Sequence, residues 1–149
     1  MAQYGIVTID GKQFIERAQI FPVTLNITQN LQVLTQQRVT LPGVANFLLK
    51  GLTREVTDNN GVSANSRFLF RLGNSDGMTW YFSGGLGSVT DRVIDTCCFG
   101  TGQFPYVLIP PIPYSAAGTI MFEVEDISRA APYTINFAFH GAYLIPVSS

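Results

Sequence analysis

Alternation with a period of two runs through most of this chain. From Tyr133 onward, Tyr133, Ile135, Phe137, Phe139, Gly141 and Tyr143 fall on one side of an extended strand, and Thr134, Asn136, Ala138, His140 and Ala142 fall on the other. Ile120, Phe122 and Val124 alternate with Met121, Glu123 and Glu125, and Phe68, Phe70 and Leu72 with Leu69 and Arg71. Leu48, Leu52 and Val56 share a parity with Lys50 and Arg54, which predicts one common face. β-branched and aromatic residues fill these positions, as half-buried strands require. Turn chemistry separates the runs: Asn60-Gly61, the quartet Asn74, Ser75, Asp76, Gly77 between FLFRL and MTWYF, and prolines at 22, 42, 105, 110, 111, 113 and 132. No stretch joins a helical apolar stripe to an N-cap over ten residues free of Gly and Pro; residues 88–98, SVTDRVIDTCC, read equally as helix or strand.

Nine strands are predicted, over 19–27, 31–41, 45–57, 67–72, 78–82, 92–98, 106–109, 119–126 and 133–145. Short strands at this spacing in one domain predict an all-β fold, a two-sheet antiparallel sandwich with jelly-roll topology, in which the Pro-rich stretch 104–113 serves as the long crossing loop. Residues 1–18 stand apart from the sandwich domain at 19–149. They are more polar, contain Asp10-Gly11, and scatter their apolar residues Tyr4, Ile6, Ile9, Phe14 and Ile15. Two arrangements fit them: an extended N-terminal arm that docks on a neighbouring molecule, or an edge strand or small hairpin of the same domain. Under the first, those five residues are the candidate protein interface.

Composition narrows what such a sandwich can do. Of 149 residues, 46% are hydrophobic, which excludes intrinsic disorder, while only 13% are charged against about 25% in soluble domains generally. A net charge of -1 gives no basic stripe for a nucleic acid. With so few charges, Thr, Ser, Asn and Gln must solvate the surface, and such a surface is cheap to desolvate against protein. Cys97 and Cys98 are adjacent, on opposite sides of any strand, and read as two free thiols. The N-terminus has neither the basic start nor the apolar stretch of a signal peptide, and no run approaches the about 18 apolar residues of a membrane span. Synthesis in a reducing cytoplasm, with the sequon at Asn26 unused, is therefore expected.

Candidate chemistry is sparse. His140 is the sole histidine, mid-strand, without a GxSxG context, and one His with a Cys-Cys pair makes no zinc signature. Glu123 and Glu125 share a strand face about 7 Å apart, a separation open to glycosidase carboxylates and equally to a solvated face. Asp91 and Asp95 flank Arg92 as a structural ion-pair set. Gly84, Gly85 and Gly87 lack the spacing of a phosphate loop, and Asn74 and Asp76 that of a calcium loop. No enzyme, metal or cofactor is expected. Exposed aromatics among Trp80, Tyr81, Tyr106 and Tyr114 would suit an alternative, a carbohydrate-binding sandwich.

The run FPYVLIPPIPYSAAGTIMFEVEDIS, followed by YTINFAFHGAYLIP, resembles small virion proteins of tailed bacteriophages, in particular their jelly-roll head decoration or cement proteins. The pattern is a Pro-rich aromatic approach, Gly118 before a strand, a polar turn, and a last strand carrying Phe139, Gly141 and Tyr143; it is distinct over 104–146 and extends in texture over 20–146. The resemblance implies a homotrimer or other small oligomer on the virion surface, bound to the major capsid protein at junctions between its subunits and stabilising the shell without catalysis. Neck, tail or fibre modules of the same virions use similar sandwiches and remain an alternative.

Overall fold

The computed structural model describes residues 5–58, 60, 67–74, 79–82, 93–95, 99–101 and 105–147, with the backbone alone at 79–82 and 93–94. Among the described residues there are ten strands and no α-helix: β1 (Gly5–Ile9), β2 (Lys12–Ile27), β3 (Val33–Thr40), β4 (Asn46–Thr57), β5 (Phe68–Asn74), β6 (Thr79–Phe82), β7 (Val93–Ile94), β8 (Tyr106–Tyr114), β9 (Thr119–Asp126) and β10 (Tyr133–Pro146). They form two antiparallel sheets, the first in the order β1-β2-β10-β4-β8 and the second in the order β3-β9-β5-β6, with β7 also beside β5. Pairing is nested along the chain: β2 with β10, β3 with β9, β4 with β8, and β5 with β6.

The inner faces of the two sheets meet in an aromatic core, giving a β-sandwich-like fold. Phe137 of β10 sits at its centre, with ring centroids 5.6 Å from Phe68, 5.8 Å from Phe70 and 5.8 Å from Phe122, all on the second sheet, and 5.1 Å from Phe99. The alternation read from Tyr133 to Phe139 and from Ile120 to Val124 is the alternation seen, because β10 and β9 each have a paired strand on both sides and point one face at this core.

β4 departs from its expected pattern. His140 lies opposite Gly51 but Gly141 opposite Leu49, while β10 pairs with β2 without a shift, so the extra residue is Lys50 in β4. One inserted residue exchanges the two faces downstream. Phe47 and Leu49 enter the core before it, and Leu52 and Val56 after it. Leu48 and Lys50 therefore do not share a face with Leu52, Arg54 and Val56, as a single unbroken alternation predicted. Gly141 lets this junction close: a Cβ there would lie 2.5 Å from Phe47 Cζ and would overlap the Leu48 carbonyl oxygen.

The Pro-rich stretch expected as a crossing loop is largely strand. β8 has a neighbour on one side only among the described residues, so Pro110, Pro111 and Pro113 forfeit no ladder bond on the open side. The irregularity appears in the pairing instead, where Val107 faces Gly51 but Ile112 faces Leu49.

Residues 5–18, for which an arm and an edge hairpin were both open, lie in β1 and the first part of β2. Asp10 and Gly11, at φ 51° and 77°, make the two-residue turn that matches strand twist. β2 then runs unbroken across the expected 18/19 boundary and pairs with β10 from Phe14 opposite Pro146 to Ile27 opposite Tyr133.

Candidate protein interface

Among the described residues the first sheet has two open edges, β1 and β8, and both carry exposed apolar side chains. On β1, Ile6 is 68% exposed and Ile9 38%. Phe14 and Ile15, further along the hairpin, are half-buried because β2 has already entered the sheet; Tyr4 lies outside the described residues. Of the four described candidates, Ile6 and Ile9 thus present the most surface. Ile9 and Phe14 also line a cavity of about 390 Å³ with Leu48, Tyr114 and Leu144, where the hairpin tip leans on the end of the sandwich.

The opposite edge was not singled out from the sequence. Tyr106 is 40% exposed, Val107 61% and Ile109 89%, bordering a groove of about 590 Å³ that runs along β8 to Pro113. Its signal was present: residues 96–122 contain no Asp, Glu, Lys or Arg. The edge strands β1 (GIVTI) and β8 (YVLIPPIPY) hold no charged residue at all. Among the described residues β3, at one end of the second sheet, differs in carrying Arg38, a charge of the kind that discourages edge pairing, whereas register shifts occur in both β3 and β8.

Between these edges the outer face of the first sheet is polar, with hydroxyl and amide groups beside the charged Glu55, Lys50 and Glu16. Thr24 Oγ1 lies 2.9 Å from Asn136 Oδ1, and Thr134 Oγ1 lies 3.0 Å from Asn26 Oδ1, each hydroxyl donating across the β2–β10 pair. His140 Nε2 is 2.8 Å from Thr53 Oγ1, which ties β10 to β4 beside the Lys50 bulge. Burial favours the neutral imidazole and moves the His140 pKa down from 6.5. Lys50 Nζ reaches both carboxylate oxygens of Glu16, at 2.8 and 2.7 Å.

The remaining sequence candidates are dispersed. Glu123, one of the two glutamates on a common strand face, is buried against Arg71 at 2.8 Å, and Glu125 is half-exposed. Asp95 is fully buried and pairs with Arg54 at 2.6 Å. Tyr114 is buried, donating to the Gly73 carbonyl oxygen at 3.1 Å, so it offers no stacking platform; Tyr106 does. Trp80 and Tyr81 lie in β6, their side chains outside the description, and Asp76, Gly84, Gly85, Gly87, Asp91, Arg92, Cys97 and Cys98 lie outside the described residues. Among the described residues no group of three His, Cys, Asp or Glu could hold a metal ion, and no helix is long and apolar enough to cross a membrane.

Asp126, which the sequence places in an acidic patch with Glu123 and Glu125 at the start of a turn, is instead buried and braces the far end of the sandwich. Asp126 accepts hydrogen bonds from Tyr133 Oη at 2.7 Å, Ser128 Oγ at 2.8 Å, and the backbone N–H of Leu31, Ser128 and Arg129 at 2.9, 3.1 and 3.2 Å. Burial works against its charge, but these donors outweigh it and hold the carboxyl below the usual 3.8. Burial and the same carboxylate push the Tyr133 hydroxyl upward, so it stays a donor.

Comparison with protein-family models, with curated proteins and with solved structures finds no match to this chain.

Proposed function

We propose that the two sheets form a jelly roll and that the protein is a bacteriophage virion structural protein, a capsid decoration protein acting as a homotrimer. The nested pairing of β2 with β10, β3 with β9, β4 with β8 and β5 with β6 supports the jelly roll, since an antiparallel ribbon rolled on itself pairs its strands in that way. The likeness of residues 104–146 to decoration proteins supports the assignment to a virion. The observation that carries the functional reading is the pair of uncharged, apolar open edges on one sheet. Contiguous exposed apolar surface marks association with other protein, and these edges flank a face that offers the hydroxyl and amide groups of Thr24, Asn26, Thr134 and Asn136 for further hydrogen bonds. In this reading each copy adds apolar and hydrogen-bonded contact across neighbouring subunits of the major capsid protein, and no bond is made or broken.

Sedimentation of the purified protein with capsid shells of the virus that encodes it tests the proposal. Saturable binding to shells, with a rise in their melting temperature, is the expected result. Binding to isolated necks, tails or fibres in place of shells would move the protein elsewhere in the virion, and binding to neither would overturn the reading. One observation favours a second reading: the exposed Tyr106 beside the β8 groove suits stacking on a sugar. Glycan-array binding abolished by Tyr106→Ala, without shell binding, would establish that alternative.

A further inference from the structure

We infer that β1 pairs with β1 of a second copy, antiparallel about a two-fold axis at Val7. A two-fold contact is separate from the homotrimer and does not rest on it: it joins copies from neighbouring trimers, or makes a dimer of single chains. β1 is an unprotected edge: five residues, no proline and no charge. The Asp10-Gly11 turn makes Ile9 and Lys12 the hydrogen-bonded pair that closes the hairpin. By alternation, Gly5, Val7 and Ile9 bond to β2, and the N–H and C=O of Ile6 and Thr8 point away from it. No strand lies on that side among the described residues. β8, at the other end of the sheet, is no match for this edge, since three prolines and a register shift break its ladder.

A second copy is the occupant that the order of residues along the hairpin fits. With Val7 opposite Val7 of the other copy, Ile6 stands opposite Thr8 on both sides of the axis. The outward N–H and C=O groups of both residues are then used, in four hydrogen bonds. Ile6, 68% exposed in the single chain, becomes the diagonal neighbour of Ile6 across the axis. The rows continue into β2. Phe14 and Val7 meet Val7 and Phe14 of the second copy, apolar against apolar. Lys12 and Ile9 meet Gly5 and Glu16, so at both ends of the contact a cation faces an anion, about 14 Å away by three strand spacings. Glu16 also pairs with Lys50 of its own chain, so this complementarity sets register more than strength. Moving the axis to Ile6 puts Glu16 opposite Phe14, and moving it to Thr8 puts Lys12 opposite Phe14. Only the register at Val7 matches charge with charge and apolar with apolar.

Light scattering after size-exclusion chromatography on the full chain, at about 100 μM, tests the symmetry, and Ile6→Lys tests the surface. The expected result is an even-numbered parent, a dimer or a pair of trimers, and a dissociation constant for the two-fold step raised at least about 100-fold in the variant, whose ammonium groups meet across the axis. Ile6 is mostly exposed in the single chain, so the fold should persist, with the far-UV spectrum as a check. A monomer, a trimer that associates no further, or an Ile6→Lys variant that associates like the parent would overturn the inference. Val7→Cys gives a measure of register. As a pair without hydrogen bonds between them, the two position-7 residues lie about 4.5 Å apart at Cα, within disulfide range. Mild oxidation should link them, and peptide mapping separates that link from any at Cys97 or Cys98. No link at position 7, or self-links formed by Ile6→Cys or Thr8→Cys in its place, would sink the proposal.

Discussion

Gly141 sits where β2, β10 and β4 meet, opposite Gln19 on one side and Leu49 on the other. A methyl group there meets the Leu48 carbonyl and the Phe47 ring, both fixed by packing. Gly141→Ala should destabilise the protein by about 3 kcal/mol, at the upper end for overpacking, read as a lowered urea midpoint. Asp126 contributes to stability against acid. Its carboxyl is held below 3.8, so its stabilisation is present above that pH and is lost as pH falls through the folded value. Asp126→Asn should cost about 2 kcal/mol at neutral pH, from weakened hydrogen bonds to a charge, and the gap to the parent should close in urea titrations below pH 3.8. His140 has the same sign in a higher window. Its pKa is lowered from 6.5, so the neutral ring contributes fully above 6.5 and progressively less as pH falls through the lower folded value. His140→Gln, which can still bond Thr53, should flatten the fall in urea midpoint between about pH 7 and about pH 5.

At the scale of elements, legibility follows position in the sheet. β9 and β10 are readable because each has a neighbour on either side and one face on the core. The pattern in β4 misleads because the bulge at Lys50 is set by partners elsewhere, by Gly141 in β10 and by the pairing of β8 with Gly51, and a single strand's alternation carries no trace of them. The prolines from 110 onward argue for ending a strand at residue 109, yet on an edge they are compatible with one. β1 was absent from the predicted strands since GIVTI alternates too briefly. The β1–β2 hairpin also separates two truncations. Deleting residues 1–11 removes β1 and the turn but leaves every β2–β10 pair in place, and the sandwich should keep most of its stability. Deleting 1–18 also removes Phe14 through Ala18, which pair with Ala142 through Pro146. That variant should unfold at clearly lower temperature in calorimetry.

For the molecule as a whole, the absence of local catalytic signals and the low charge pointed toward surface rather than pocket, and Ile6 and Ile9 were found as apolar residues without a core role. Tyr106 was legible only as an aromatic suited to a sugar, and Val107 and Ile109 were not singled out, because the uncharged run 96–122 fits a buried strand as well as an edge; pairing, among the described residues, places β8 at the end of its sheet. The lack of charge on β1 and β8 has a consequence in solution. A contact made through these strands contains no ion pair of its own, and Lys12 and Glu16 flank β1 only at a distance, so there is little for dissolved salt to screen. Raising sodium chloride from about 0.05 to about 0.5 M should leave the self-association constant nearly unchanged, whereas sulfate, excluded from apolar surface, should strengthen it. Analytical ultracentrifugation across the two salts would show the difference, and marked weakening by sodium chloride would place the contact on some charged surface instead.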